Sequence, residues 1–383
     1  MASNKKVLFN ARIFDGTSFV KETSLCLENG VIQGLGAGHK EGDVDCGGRI
    51  LAPGMIDLHT HGIGGYSVMS PEGLKKAARL YPRHGVTSFC PGAGCACNAD
   101  IRRYLEGVLA FVREPEGAGV LGAYLEGPYL SAPNRGANPA GMLRTPSLSD
   151  YQDMVGEYGS LVKRITIAPE LPGALTLIER LAGDGVMVSA GHCAPTAGQM
   201  MEAVERGVRS TTHTCNGMPP LHHRAPGVLG EALTDERVCT EFIADLVHID
   251  PILIKLIHRV KGPQNCYVCT DSIPAATMPD GTYCLNEGEV TVKNGVATLG
   301  DSLAGSTLTM DRALRNLVKK VGIPLEDALR MCTSTPARAI GAGGRKGMIA
   351  AGYDADLVLL EDDLSVFMTI VRGETEFQAS RES

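Results

Sequence analysis

Apolar residues along this chain follow two rhythms. Near the start, the short runs VLFNARIF, SLCLENG and VIQGLG are punctuated by ENG and other glycine turns and predict brief strands. The far end resumes that style in ADLVLLEDD and MTIVRGETEF. Between them, apolar strand-like runs alternate with helical patterns, which is the mark of βα units around a parallel sheet. The candidate strands are MIDLHTH, TSFCPG, VLGAYLEG, RITIAPE, VMVSAGH, RSTTHTC, TEFIADL and NCYVCTD. Amphipathic stretches such as EGLKKAARLY, ADIRRYLEGVLAFV and TAGQMMEAVERG fall between them. Eight such units predict an α/β fold, a (β/α)8 TIM barrel whose active site lies at the C-terminal ends of the strands. The expected division is a small composite β-sandwich from 1–52 and 346–383, with the barrel over 53–345. Residues 277–303 break the alternation and read as a β-hairpin insertion beyond the eighth strand. Helices are expected in TMDRALRNLVKK and PLEDALRMCTSTPARAI.

Length supports that division, because 383 residues exceed the usual size of a single core. A net charge of −7 argues against a general nucleic-acid binder and leaves any anionic ligand to local positive groups. The opening MASNKKVLFNARIF lacks an apolar signal core, and no run approaches a membrane span, so a cytoplasmic enzyme is expected. Twelve cysteines are scattered without an export signal, which makes buried thiols the default. CYVC, at 266–269, sits in an apolar run where its two thiols face opposite ways; a redox or zinc role is the alternative reading.

Chemistry enters with PGMIDLHTHG. Residues i and i+2 of a strand share a face, so His59 and His61 project together, either to grip a metal ion or as a hydrogen-bonded pair. Glu126 ends the third candidate strand, His192 the fifth, His213 the sixth and Asp271 the eighth. Six metal-competent side chains thus converge on one barrel mouth, and neutral imidazoles with carboxylates suit zinc, iron or manganese.

The set resembles the amidohydrolase superfamily. The stretches APGMIDLHTHG, LEGPYLS, GANPAG, VSAGH, THTCNGMPPLHHRAPG, CTDS, LAGSTLTM and GMIAAGYDADLVLL narrow it to the N-acetylglucosamine-6-phosphate deacetylase family. That resemblance implies one or two divalent ions. Glu126, His192 and His213 match the principal ligands, and His59 and His61 match a pair that holds a second ion in some members, with Glu126 bridging. Asp271 matches the catalytic acid/base. Asn216, with Gly217 beside it, Arg224 and His248 match the phosphate side, and Leu303, Ala304, Gly305 and Ser306 match a loop against the acyl group. A homodimer whose second subunit contributes to the phosphate site is also implied. Nothing in the residues assigns a role to His222 or His223.

Physics agrees with those roles. Amide hydrolysis needs a better nucleophile than neutral water, which a divalent ion provides. Asp271 can take the water's proton and pass it to the departing amine, or it can serve purely as a ligand. Arg224 carries the planar fork that pairs with phosphate oxygens.

Four positions depart from the family pattern. Asn138 replaces a substrate-contacting histidine, Leu246 stands for the glycine of Ala-Asp-Gly, Gly217 for an alanine, and Ser272 for an alanine. The expected reaction is deacetylation of N-acetylglucosamine-6-phosphate. The alternatives are N-acetylgalactosamine-6-phosphate or another N-acyl amino sugar, a different amidohydrolase, or a non-catalytic relative.

Overall fold

The computed structural model describes residues 5–285 and 288–380. The outermost residues of the two expected sandwich segments, and 286–287 of the expected insertion, lie outside that set. Eight parallel strands form the centre: Met55–Thr60, Val86–Ala93, Ala123–Glu126, Val162–Ile167, Met187–Ala190, Val208–Thr211, Cys239–Ile243 and Cys266–Cys269. Each pairs in parallel with the next. A parallel bridge between Thr60 and Ser272 closes the ring, reinforced by the Thr270 hydroxyl donating to the buried Asp57 carboxylate. The result is a TIM barrel.

The strands are buried on both faces, which is why they read as nearly continuous apolar runs. Helices cover them with one apolar stripe each. In Ala197–Arg206, Met200, Ala203 and Val204 point inward at i, i+3 and i+4, and a Thr196/Gln199 capping box sets the start.

Two antiparallel-rich sheets make the small β unit. Strands Lys5–Phe9, Leu25–Glu28, Val31–Leu35 and Val44–Asp45 form one sheet from the N-terminal part alone. The other joins Arg12–Ile13 and Ile50–Pro53 to Leu357–Leu360, Val366–Val371 and Glu374–Gln378.

Two local expectations change. The 277–303 segment is a four-stranded antiparallel meander, Gly281–Leu285, Gly288–Lys293, Val296–Leu299 and Ser302–Leu303, where a hairpin was expected. Its second turn, Asn294-Gly295, has both residues at positive φ, the tight-hairpin geometry that adds a strand without a longer loop. The helix expected through TMDRALRNLVKK is α only over Met310–Arg315 and continues as a π turn over Asn316–Val321. There the Asn316 amide donates to the Ala244 carbonyl at 2.9 Å, just ahead of the loop that carries His248.

Candidate active site

His59 lies on the first barrel strand and His61 just past its end, with their Nε2 atoms 3.2 Å apart. Glu126 closes the third strand. His192, His213 and Asp271 stand two residues beyond the paired ends of strands five, six and eight, where the sequence reading had placed them as terminal strand residues. All three are left-handed, with φ of 47°, 32° and 48°. Such a backbone costs roughly 1–3 kcal/mol per non-glycine residue and persists only where neighbours hold it. Here the Asp271 N–H donates to the His59 carbonyl at 2.8 Å, and the Ser306 N–H donates to the Asp271 carbonyl at 2.7 Å.

The six side chains form two sets that meet at Glu126. Its Oε1 is 3.1 Å from both His192 Nε2 and His213 Nε2, and its Oε2 is 3.1 Å from His61 Nε2. Asp271 Oδ1 is 3.2 Å from His59 Nε2 and 3.3 Å from His61 Nε2. Glu126, His192 and His213 make the inner set; His59, His61 and Asp271 make the outer one. Nitrogen lone pairs and carboxylate oxygens packed this closely need protons or cations among them. Their mixed N/O chemistry fits a divalent transition ion in each set.

Charge follows the same geometry. Burial pushes the His61 imidazole down, but hydrogen bonds to Asp271 and Glu126 outweigh it and carry it up to about 10. Burial raises the Glu126 and Asp271 carboxyls, yet the imidazoles, His59 foremost, hold both well below the usual range. His213, buried and facing His192, falls below its ordinary value. Metal binding exchanges such protons for the ion.

The outward ring nitrogens are fixed too. His61 Nδ1 meets the Gly92 carbonyl at 3.1 Å, His192 Nδ1 meets the Asn134 carbonyl at 2.8 Å, and His59 Nδ1 meets Glu241 Oε1 at 2.9 Å. His213 Nδ1 is buried without a partner among the described residues. Sequence reasoning missed Glu241 and its ion-pair partner Arg164. A partial signal was available: Glu241 is a charge inside the apolar run TEFIADL, whereas Arg164 opens RITIAPE and proves to be inside a strand only because that strand begins at Val162.

Above the ligands lies a cavity of about 350 Å³. Asn138, Asn216, Gly217 and His248 line it, as do Leu303, Ala304 and Gly305. Arg224 and Ser306 are not in its wall. Arg224 lies in the exposed segment 219–226, its guanidinium 2.7 Å from His223 Nε2. Ser306 is buried; its hydroxyl donates to the Thr270 carbonyl, so it pins the Asp271 turn. The meander supplies a wall that sequence reasoning did not assign, through Cys284 and Val290.

Each departure from the family pattern has a structural setting. The Ser272 hydroxyl bonds Thr60 and the Gly62 carbonyl across the barrel closure. Leu246 sits at φ +69°, the left-handed region that favours glycine, with its side chain leaning on the core. Gly217 sits at φ +59°, and a Cβ there would stand 2.9 Å from His192 Nδ1. The Asn138 amide is engaged at both ends, its Oδ1 accepting from the Cys95 N–H at 3.0 Å and its Nδ2 donating to the Arg135 carbonyl at 3.2 Å. Asn138→Ala is therefore expected to lower folding stability by about 1–3 kcal/mol, since it orphans a buried N–H. A shift of the urea midpoint at constant slope reads this directly; an unmoved midpoint would show that the amide is free to serve the ligand.

His248 presents a fixed imidazole. Its Nδ1 meets Asp245 Oδ2 at 2.7 Å, and that carboxylate raises the ring above its ordinary value against the effect of burial. Cys266 and Cys269 point opposite ways, as expected: Cys266 contacts Met331, and Cys269 lies beside His59 and Glu241.

Comparison with known proteins supplies the family. The amidohydrolase family model matches residues 50–375. N-acetylglucosamine-6-phosphate deacetylase of Bos taurus is 37% identical over 349 residues, covering 87% of this chain and 85% of that protein. N-acetylgalactosamine-6-phosphate deacetylase of Escherichia coli O157:H7 is 36% identical, covering 85% and 87%. Among solved structures, a variant N-acetyl-D-glucosamine-6-phosphate deacetylase of Mycobacterium smegmatis, in complex with N-acetyl-D-glucosamine-6-phosphate, matches with a TM-score of 0.92 at 32% identity, covering 98% and 100%. With two ligand sets on the C-terminal mouth of a TIM barrel and these relatives spanning most of its length, the chain belongs to the amidohydrolase family, in its N-acetylglucosamine-6-phosphate deacetylase branch.

Proposed function

We propose that this enzyme removes the acetyl group from N-acetylglucosamine-6-phosphate, giving glucosamine-6-phosphate and acetate. The observation that carries the reading is the pair of candidate ligand sets that meet at Glu126 beneath a cavity of about 350 Å³. Glu126, His192 and His213 would hold one divalent ion (zinc, iron or manganese), and His59, His61 and Asp271 would hold a second. When bound, such an ion polarises an acyl carbonyl and makes water acidic enough to attack it at neutral pH. Asp271, whose Oδ1 stands beside the imidazoles of His59 and His61, receives the proton that the water loses and delivers it to the amine nitrogen as the C–N bond breaks. Leu303, Ala304 and Gly305 close around the acyl group, while Asn216, Gly217 and His248 face the sugar and its phosphate. Assay of the purified enzyme against N-acetylated hexosamines, with and without a 6-phosphate, tests the reading. Turnover limited to unphosphorylated compounds would reject it.

The galactosamine epimer is the second reading, supported by the Escherichia coli relative and by the departures at Asn138 and Leu246.

The phosphate bears on assembly. Among the described residues of the cavity wall there is no lysine or arginine, so a permanent cation for a phosphate dianion would have to reach it from outside that wall. The exposed segment 219–226 carries Arg224 outward, and Ile252, Leu256 and Val260 expose an apolar ridge along one face of helix Pro251–Lys261. Both features support a homodimer in which Arg224 of one copy serves the cavity of the other. Arg224→Ala is expected to raise KM for a phosphorylated sugar roughly 10- to 150-fold, the equivalent of a lost charge-assisted hydrogen bond, with little change for its unphosphorylated analogue. Co-expression of Arg224→Ala and Asp271→Asn chains should recover activity, because the mixed dimer contains one intact site; no recovery would place Arg224 in its own chain's site. The twelve cysteines, none of them paired, fit a reducing, cytoplasmic setting.

A further inference from the structure

Beneath the ligands runs a buried chain of polar groups that the reaction as described does not use. Arg164, from the fourth barrel strand, lies fully buried across the interior. Its Nη1 donates to the Leu58 carbonyl at 2.9 Å and to Glu241 Oε2, its Nε reaches Ser189 Oγ at 3.3 Å, and its guanidinium carbon stands 4.3 Å from the Tyr124 ring centroid. Glu241, from the seventh strand and equally buried, turns its other oxygen upward. Oε1 meets His59 Nδ1 at 2.9 Å and the His213 backbone N–H at 3.1 Å.

We propose that Glu241, clamped by Arg164, is a positioning residue that sets the His59 tautomer and thereby the affinity of the outer ion position. The logic is one of donors and acceptors. A carboxylate paired with arginine can only accept, so the hydrogen between Glu241 and His59 belongs to Nδ1. The Nε2 lone pair is then directed at Asp271 and His61, as an ion requires. Arg164 keeps Glu241 from rotating and, through the Leu58 carbonyl, also fixes the backbone next to His59. Among the described residues the inner set has no such device: His192 leans on a backbone carbonyl, and the His213 ring is without a partner at Nδ1. Glu241 reaches His213 only through its main chain.

This inference rests on the two-ion reading and is tested on metal binding. Glu241→Gln gives the side chain one acceptor for three donors. If its oxygen stays on Arg164, its NH2 faces His59 and drives the imidazole proton to Nε2. Chelator-stripped chains are titrated with zinc in equilibrium dialysis and with cobalt by visible absorption. In Glu241→Gln, one ion of two should weaken about 10- to 100-fold, the usual effect of losing a ligand's orienting partner. The other constant should stay within a few-fold of wild type. His192→Asn, which cripples the inner set, identifies the surviving ion, and the double variant should lose both. Arg164→Met with Glu241→Gln removes both buried charges and provides a second test if the single variant does not fold. Two unchanged constants in Glu241→Gln, or two equally weakened ones, overturn the proposal. A wild-type chain that binds no ion overturns the two-ion reading itself, and a single ion indifferent to Glu241 overturns only the positioning role.

Discussion

Replacing Asp271 with asparagine is expected to lower kcat by about 10²–10⁴-fold while changing KM by only a small factor. The loss falls on the transition state, because an amide can neither take the attacking water's proton nor return one to the amine nitrogen. Its left-handed turn, pinned by His59 and Ser306, should survive an isosteric change, so the carbonyl and N–H contacts of the turn remain. Asp271 also belongs to the outer ligand set, and ion content must be measured alongside turnover. An enzyme that keeps its inner ion and loses turnover supports the proton role. Near-normal turnover with metal retained excludes it, and recovery on adding excess metal would reduce Asp271 to a ligand.

The second large effect is expected at Glu126. Its two oxygens face opposite ligand sets at 3.1 Å, so one substitution reaches both. Glu126→Gln deletes the shared negative charge and presents an NH2 donor where a ligand atom must be an acceptor. Both ions should be weakened and activity lost. Thermal denaturation gives an independent readout. An ion at 100 to 1,000 times its Kd stabilises the folded state by about 2.7–4.1 kcal/mol. Wild-type protein should therefore melt at a higher temperature with zinc than after chelation, whereas Glu126→Gln should melt at one temperature in both conditions. A variant that still gains stability from zinc would show that the imidazoles suffice alone.

What the sequence revealed follows from how local each signal is. Barrel strands buried on both faces leave continuous apolar runs, and residues at or just beyond their ends sit at nearly fixed offsets, so the convergence of His59, His61, Glu126, His192, His213 and Asp271 on one barrel mouth was readable from the sequence. The two-residue overhang of His192, His213 and Asp271 was not, because histidine and aspartate, though enriched in left-handed turns, adopt them too seldom for residue type alone to place one. The reach of Arg224 was equally hidden: an arginine in HHRAP reads the same whether it faces its own cavity or away from it. Asn138 shows the limit of motif comparison. Its change of residue type is visible in the sequence, but not that its side chain, in the cavity wall, also ties two loops together through Cys95 and Arg135. Glu241 was overlooked for the opposite reason: a charge inside an apolar strand looks like an exception until its partner Arg164, 77 positions away, is seen beside it.

The closure of the barrel has a consequence for assembly of the native state. Thr60 and Ser272, which bridge the first and eighth strands, are 212 positions apart in the chain. The outer ligands straddle that same seam, His59 and His61 on one side and Asp271 on the other. The proposed outer ion, seated among them, would be a clasp across the longest loop of the barrel, comparable to a crosslink in the chain entropy it withholds from the open form. During synthesis the inner ligands are complete once His213 has emerged, whereas the clasp must wait for the eighth strand to dock. On the two-ion proposal, metal supply would then bear on how long the ring, once shut, stays shut, as well as on turnover.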